Sequence, residues 1–557
     1  MDEGAQALPT VLTGEEHESL ERDKTKKKSR EISEDSTSDT EKTRQISIEN
    51  NDFTNNNQQN IGDSQSSCKN SQDDSNSITS RIKHLIHIYQ VFDSKKIRKK
   101  ARRMAIQIME QIGYTIMVVT PGKFAKKYAS SAPYHLFFTR VENCKETYNQ
   151  QFSIIFSEIL DRSLGEIVKS LHLTFMVDIT WLYLQYLLAG QRTDMTILCK
   201  HKTRNHKELS ENITIIKVGG QYEFSSHHTN IMILQYKNGI RVIVSTAGLY
   251  SSDWENRTQG LWISPHLPYL SESAHPSDGE SSTGFKKDLE RYLSEYDQPV
   301  LTQWISAIRR VNFSDVNVFL VASVPGIHKG YEANFWGCKK LAYILSRYVT
   351  LPPDTQWPIV IQSSGVGSFG PTIESWMLKN IIRCMSKEIS IGLKNHPQFQ
   401  FIYPSIENYK QSFDCQDLIT PLTYSAEIHS KQQWLEQYLY QWKAKRTGRD
   451  RAMPRIKSYT RISPDSKEIP WFLLTSANLS KAAWGLITHY EGYSIGNYEA
   501  GVVFIPKFIT GTKTFPIGEE EDATVPIFPI PYDLPLSQYD SDDSPFVNEF
   551  VDSLNDM

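Results

Sequence analysis

From about residue 133 onward the chain alternates apolar runs of strand length with amphipathic stretches of helix length. The most apolar stretch, 171–188, is interrupted by Asp178 and Gln185. It predicts a strand followed by a helix rather than a membrane span. A strand is predicted at 213–218. Two further strands, 231–236 and 240–245, flank Lys237-Asn238-Gly239, whose Asn-Gly pair signals a hairpin. Helices are predicted at 285–296 and 300–310. A second series starts with a strand at 316–322. It continues with strand 359–362, helix 373–385, strand 400–403, helix 431–443 and strand 471–475. Strands interleaved with helices in both series give a mixed α/β fold.

The flanks differ in character. Within 51–80, Asn, Gln and Ser supply 18 of 30 residues, too little apolar surface to offset the entropy of ordering. Residues 1–80 are therefore expected to be a disordered polar tail. Seven cations crowd into 95–103 (Lys95, Lys96, Arg98, Lys99, Lys100, Arg102, Arg103). They suit a nuclear localisation signal or a phosphate-binding patch, or else a solvated helix face. Residues 81–132 are read as a basic linker. The proline-rich 526–535 is expected to pack in extended form, and the acidic 541–557 to be a loose tail. A domain boundary is placed just before the strand at 316.

Composition narrows the class. Lys plus Arg is 61 and Asp plus Glu is 64, a net charge of −3 in 557 residues. This excludes a uniformly basic protein and leaves room for a local basic groove. Six cysteines lie at least 31 residues apart without a CxxC, which argues against a disulfide scaffold or a structural zinc site. MDEGAQALPT has no apolar core and is not read as a signal peptide, so a soluble intracellular protein is expected.

An internal repeat carries the chemistry. Ser245-Thr-Ala-Gly-Leu-Tyr-Ser-Ser-Asp-Trp254 aligns without gaps with Thr475-Ser-Ala-Asn-Leu-Ser-Lys-Ala-Ala-Trp484. Both follow an apolar strand. His227-His228-Thr229-Asn230 precedes the first, with His228 20 residues before Gly248; Arg455-Ile456-Lys457 precedes the second, with Arg455 23 residues before Asn478. One duplicated domain is implied, its copies facing each other across a pseudo-twofold axis.

This layout resembles the phospholipase D superfamily, whose motif is His-x-Lys followed by Asp or Asn. It is similar in finer detail to the tyrosyl-DNA phosphodiesterase family. The residues carrying the likeness are His227-His-Thr229, Thr258-Gln-Gly260, Ser363-Ser364, Ala452-Met-Pro454, Ile456-Lys457 and Ser463-Pro-Asp465. The run from Thr475 to Gly485, Tyr498-Glu499 and Pro531-Tyr-Asp-Leu-Pro535 complete it. The resemblance spans about 133–540. It implies two pseudosymmetric phospholipase D-like halves, 133–315 and 316–540, each a mixed sheet flanked by helices. It also implies a phosphohistidine mechanism without metal or cofactor. One histidine attacks phosphorus, a second moves protons, and lysines and asparagines hold the phosphoryl oxygens.

Carried over by position, His228 is the nucleophile and Lys457 and Asn478 are retained. Asn230 replaces a lysine, Gly248 an asparagine, and Arg455 the general acid/base histidine. An arginine does not titrate near neutrality, and general acid–base catalysis typically contributes about 10²–10⁴-fold. Impaired turnover follows, with phosphate binding favoured over release. His227 is expected on the opposite face from His228 and so cannot substitute. The resemblance further implies that Gln259 and Glu499 support the site. Ser363, Ser364 and Lys481 would contact DNA phosphate, and Phe224 would stack on a base of a single strand; Phe224 reads equally as a core aromatic at a strand start, and Lys481 also as an ordinary surface lysine. Gly365-Val-Gly367-Ser-Phe-Gly370 matches a dinucleotide fingerprint only formally, without an acidic residue ending a second strand. Trp254 and Trp484 read as core. The family's tryptophan near the C-terminus is missing here. The implied partners are DNA 3′ ends carrying a topoisomerase I tyrosyl peptide, in nuclear DNA repair, handled by a monomer with no membrane role. Three functions stay open: a slow phosphodiesterase, an inactive paralogue that binds DNA ends, and an interaction protein that keeps the fold.

Overall fold

Period-two alternation sets the architecture: successive strand residues face opposite sides of a sheet. The computed structural model describes residues 81, 94–202, 212–219, 226–351, 356–387, 396–488, 492–518 and 524–555. The polar segment 1–80 and Phe224 lie outside them. The first sheet uses β1 (Leu136–Thr139), β2 (Ser153–Ile154), β3 (Ile167–Val177), β4 (Asp194–Lys202) and β5 (Ile213–Lys217), while β6 (Ser226–His227) joins another sheet. It continues with β7 (Ile231–Tyr236), β8 (Gly239–Ser245), β9 (Gly260–Ile263) and β10 (Leu267–Pro268). The strand order is β2-β1-β9-β8-β7-β3-β4-β5, with β10 beside β8. In β7, Ile231 and Ile233 enter one core while Met232 and Leu234 enter another. The first core is shared with the helices Phe285–Ser294 and Leu301–Arg309 and with the second sheet. The other lies beneath the helices Lys95–Ile112 and Ile179–Ala189. Each fully buried Leu or Phe contributes roughly 1.5–3 kcal/mol, so burial on both faces fixes the register.

The second half begins with β11 (Phe319–Ser323), β12 (Gly326–His328), β13 (Ile359–Gln362), β14 (Phe399–Ile402), β15 (Leu439–Tyr440), β16 (Ser458–Arg461) and β17 (Glu468–Ile469). It ends with β18 (Phe472–Thr475), β19 (Leu486–Ile487), β20 (Tyr493–Ile495), β21 (Asn497–Phe504) and β22 (Phe515–Pro516). Its main sheet runs β11-β21-β18-β16-β13-β14-β15, and β6 from the first half pairs with β21. Both main sheets mix parallel and antiparallel neighbours, as expected. The predicted strand and helix at 171–188 are β3 and Ile179–Ala189. Asp178 caps that helix by accepting the Trp181 N–H (3.1 Å), and Gly190 ends it at φ 70°.

Several expectations need correction. The basic stretch is no linker, since Lys95–Ile112 is a helix capped by Ser94, whose Oγ accepts the Ile97 N–H (3.3 Å). Ala101, Ala105, Ile108 and Met109 form its buried stripe, and Lys96, Lys99, Lys100 and Arg103 are exposed. The charge density hid a stripe built partly from alanine. The helix expected at 373–385 breaks into a 3₁₀ turn, a π-helical turn at Met377–Ile382 and an α turn. The one expected at 431–443 is a 3₁₀ helix, Gln433–Tyr438, followed by β15. The acidic C-terminal segment is docked: Phe546 and Val551 are buried, and the Tyr403 hydroxyl donates to the Phe546 carbonyl (3.1 Å). The hairpin is present, but its turn is Lys237-Asn238, because Tyr236 pairs with Gly239. Gly239 makes room for β10; a Cβ there would sit 2.2 Å from the Leu267 carbonyl oxygen.

Candidate active site

The sequence repeat is a repeat of hydrogen bonds. Ser245 N–H donates to the Asn230 carbonyl (2.9 Å), as Thr475 N–H donates to the Lys457 carbonyl (3.1 Å). Ser245 Oγ accepts the Ala247 N–H (2.9 Å), as Thr475 Oγ1 accepts the Ala477 N–H (3.1 Å). Thr246 Oγ1 donates to Gln259 Oε1 (2.6 Å), as Ser476 Oγ donates to Glu499 Oε2 (2.6 Å). Leu249 bridges to Val177, as Leu479 bridges to Val366. This frame makes Asn230 the counterpart of Lys457, Gly248 of Asn478, and Gln259 of Glu499.

Each half then leans on the other. β6 runs parallel to β21, so His228 N–H reaches the Tyr498 carbonyl (2.9 Å). Reciprocally, Thr258 bridges to Pro454, and Arg455 N–H reaches the Thr258 carbonyl (3.0 Å). The exchange carries His228 to the second half's Glu499 and sets Arg455 one residue from the first half's Gln259.

Around His228 the frame is complete. Its Nδ1 lies 2.9 Å from Glu499 Oε1, a carboxylate 2 % exposed at its side chain. Asn497 Nδ2 donates to the same Glu499 oxygen (3.1 Å). A carboxylate accepts only, so Nδ1 carries the proton and Nε2 bears the lone pair. Ser226 Oγ lies 3.0 Å from Nε2 and donates to it, while accepting from Lys200 Nζ (3.0 Å). The Phe175 ring meets the imidazole edge-on at 5.1 Å between centroids. His227 points away, as expected: Nδ1 is 3.0 Å from the Thr174 carbonyl and Nε2 2.9 Å from the Tyr296 hydroxyl. Burial pushes its pKa down to about 3, so it is neutral and outside the site. Asn230 accepts from Thr174 Oγ1 (3.0 Å) and makes two longer bonds, to the His228 and Thr246 carbonyls (3.3 and 3.4 Å).

Around Arg455 the same frame holds the wrong partner. Gln259 is fully buried and its Nε2 has no hydrogen-bond partner. An amide N–H needs an acceptor; a neutral imidazole nitrogen is one, and a guanidinium is not. Arg455 Nε is also buried and makes no hydrogen bond; it forms a long ion pair with Asp253 Oδ1 (3.9 Å). Burial alone would raise the Asp253 carboxyl, but Arg455, Arg257, the Gly248 N–H and the Tyr250 hydroxyl together hold it low. A Cβ on Gly248 would lie 2.7 Å from Tyr250 Cε1, so the tyrosine ring fills the space an asparagine side chain would need. Lys457 donates to the Arg455 carbonyl (2.6 Å). Burial, then the Arg455 charge, bring its pKa down to about 7.

Asn478 Oδ1 accepts from both Ser363 Oγ and Ser364 Oγ (3.1 Å each). Ser363 also accepts the Leu479 N–H (3.0 Å). Both serines, expected on DNA phosphate, are thus buried supports of Asn478. Two glycines of the formal dinucleotide fingerprint serve the same loop: a Cβ on Gly365 would lie 2.8 Å from Asn478 Nδ2 and one on Gly367 2.9 Å from Ser480 Cβ. Lys481 opens the short helix Lys481–Trp484, where Ser480 Oγ accepts the Ala483 N–H (3.1 Å). Sequence reasoning missed Lys200, Ser226, Phe175 and Asn497, which reach the site by strand adjacency and carry no local motif, and Asp253, which lies in the first repeat on the short helix Ser251–Glu255.

A family model described as tyrosyl-DNA phosphodiesterase matches residues 135–540. The chain belongs to the tyrosyl-DNA phosphodiesterase family. It is 42 % identical over 473 residues to "Tyrosyl-DNA phosphodiesterase 1" of Drosophila melanogaster, covering 82 % of this chain and 80 % of that one. It is 28 % identical over 469 residues to "Probable tyrosyl-DNA phosphodiesterase" of Caenorhabditis elegans, covering 79 % and 96 %. A crystal structure of the yeast tyrosyl-DNA phosphodiesterase shares the fold with a TM-score of 0.55 at 19 % identity, covering 74 % of this chain and 99 % of that chain.

Proposed function

We propose that this tyrosyl-DNA phosphodiesterase family member attacks 3′-phosphotyrosyl DNA ends through His228 and then stalls on the covalent intermediate. The observation that supports the reading is the asymmetry of the frame: Glu499 holds His228 Nδ1, while Gln259, its counterpart in the other half, has a buried amide nitrogen without a partner. In the first step the Nε2 lone pair bonds to phosphorus and the P–O bond to tyrosine breaks. The phenolate, with a pKa near about 10, leaves and takes its proton from water. In the second step water bonds to phosphorus and gives up a proton, and the P–N bond electrons return to His228. With no acceptor at position 455, that proton passes to bulk water, at a loss of about 10²–10⁴-fold. The charges of Arg455 and of Lys457, where protonated, favour holding the phosphate meanwhile.

The substrate on this reading is a single-stranded 3′ end carrying a topoisomerase I tyrosyl peptide, the setting is nuclear DNA repair, and the protein acts as a monomer. The exposed cations of the helix Lys95–Ile112 would serve nuclear import or a DNA backbone. A second reading is an inactive paralogue that binds 3′ ends; the inward commitment of Asn230 favours it, since it removes one phosphate-binding cation. A single-turnover reaction on a 3′-phosphotyrosyl oligonucleotide, with an acid-labile protein–DNA adduct trapped in parallel, separates the two. An adduct that is absent in His228→Ala supports the first reading. Tight binding with neither adduct nor product refutes it in favour of the second.

A further inference from the structure

The cation missing at Asn230 has a replacement from another strand. Asn230 binds only neutral groups, so the motif strand itself offers no charge beside His228. β4 and β6 come together there, and Lys200 Nζ donates to Ser226 Oγ at 3.0 Å, while that oxygen lies 3.0 Å from His228 Nε2. Two hydrogen-bond steps therefore join an ammonium to the nitrogen that would attack phosphorus. A non-bridging phosphoryl oxygen placed at Nε2 falls within reach of both the ammonium and the hydroxyl. The charged group acting on Lys200 is cationic: Lys217, which stands opposite Cys199 in the β4–β5 pair, lowers its pKa after burial does. His201, next along β4, sits edge-on to the Phe175 ring that also meets His228. A half-buried ammonium among cations, with a serine hydroxyl as its partner, is arranged for an anion.

We propose that Lys200, with Ser226, is the phosphate-binding cation of the His228 half, supplying from β4 the charge that Asn230 does not. This rests on the reading of His228 as the nucleophile at a 3′ end. The acidic class recognised is a terminal 3′-phosphate or phosphodiester, not the strand in general.

The test compares two oligonucleotides of one sequence, one ending in 3′-phosphate and one in 3′-hydroxyl, bound to the full chain at several salt concentrations. Lys200→Gln should weaken the 3′-phosphate strand at least about tenfold and leave the 3′-hydroxyl strand unchanged. It should also lower the salt slope for the phosphorylated strand by about 0.7, the value for one charge on a single strand. Lys200→Arg should retain most of the affinity, and Asn230→Lys in the Lys200→Gln background should restore it, outcomes a folding defect would not give. Equal loss on both strands, or no loss, overturns the proposal. The binding arm needs no chemistry, so it judges Lys200 even if the wild-type protein forms no adduct and the catalytic reading fails. Where an adduct does form, Lys200→Gln should slow its formation about 10²–10³-fold, the usual cost of one transition-state donor.

Discussion

The two halves share one hydrogen-bond frame and differ in what they place in it. In the first, Thr246 holds Gln259 and the motif offers His228 and Asn230. In the second, Ser476 holds Glu499 and the motif offers Arg455 and Lys457. Glu499 serves His228 across the interface, so the support of that imidazole is intact; the Gln259 amide nitrogen is left without a partner. The frame is made of backbone bonds and hydroxyls backed by core, whereas the occupants touch mainly the site. Chemistry can therefore change in one half while the fold of both persists.

The strongest break in the comparison is His228→Ala, which should abolish the trapped adduct altogether while 3′-end binding remains. Next is Arg455→His, which gives Gln259 an acceptor and water a base. Hydrolysis of the preformed adduct should rise about 10²–10⁴-fold, read by chasing the isolated adduct. Gln259→Leu placed on top of Arg455→His should remove much of that gain, because the new imidazole loses the donor that orients it.

A smaller effect comes from Lys457. Its pKa in the free protein is lowered to about 7 by burial and then by Arg455. A bound phosphate favours the charged form and raises that pKa. The extra proton is therefore already present below pH 7 and must be taken up above it. Affinity for a 3′-phosphate strand should be highest below about pH 7 and fall by up to about tenfold per pH unit above it. Lys457→Arg should flatten the profile. The least effect on chemistry is expected from Gly248→Asn, which meets the Tyr250 ring and should destabilise the fold by about 1–3 kcal/mol in thermal unfolding. Tyr250→Ala in the same chain should relieve part of that cost.

Much of this comparison is legible in the sequence because the repeat keeps its hydroxyl-x-Ala spacing. Ser245 and Thr475 make the same local bond, and that bond depends on residues two apart. His228, Arg455, Asn230, Lys457, Gly248 and Asn478 follow from that register. Lys200 does not, because its place beside Ser226 depends on β4 meeting a two-residue strand that has crossed to the other sheet. Ser363 and Ser364 read as phosphate contacts only through the family resemblance; their burial and hydrogen bonds show Asn478 as their partner. The helix face read at 95–103 is present, but its docking into the core escaped because alanines at 101 and 105 carry little hydropathy and yet pack closely. The broken helix at 373–385 has apolar spacing compatible with several helical pitches, and packing selected among them.

The central claim is that the His228 half attacks while the Arg455 half cannot finish. Rapid-quench kinetics with a tenfold excess of 3′-phosphotyrosyl oligonucleotide over protein tests it most directly. A burst of released tyrosyl peptide equal to one per protein molecule is expected, followed by a slow phase that Arg455→His accelerates. Release that continues linearly without a burst, or a burst unchanged in His228→Ala, would contradict it.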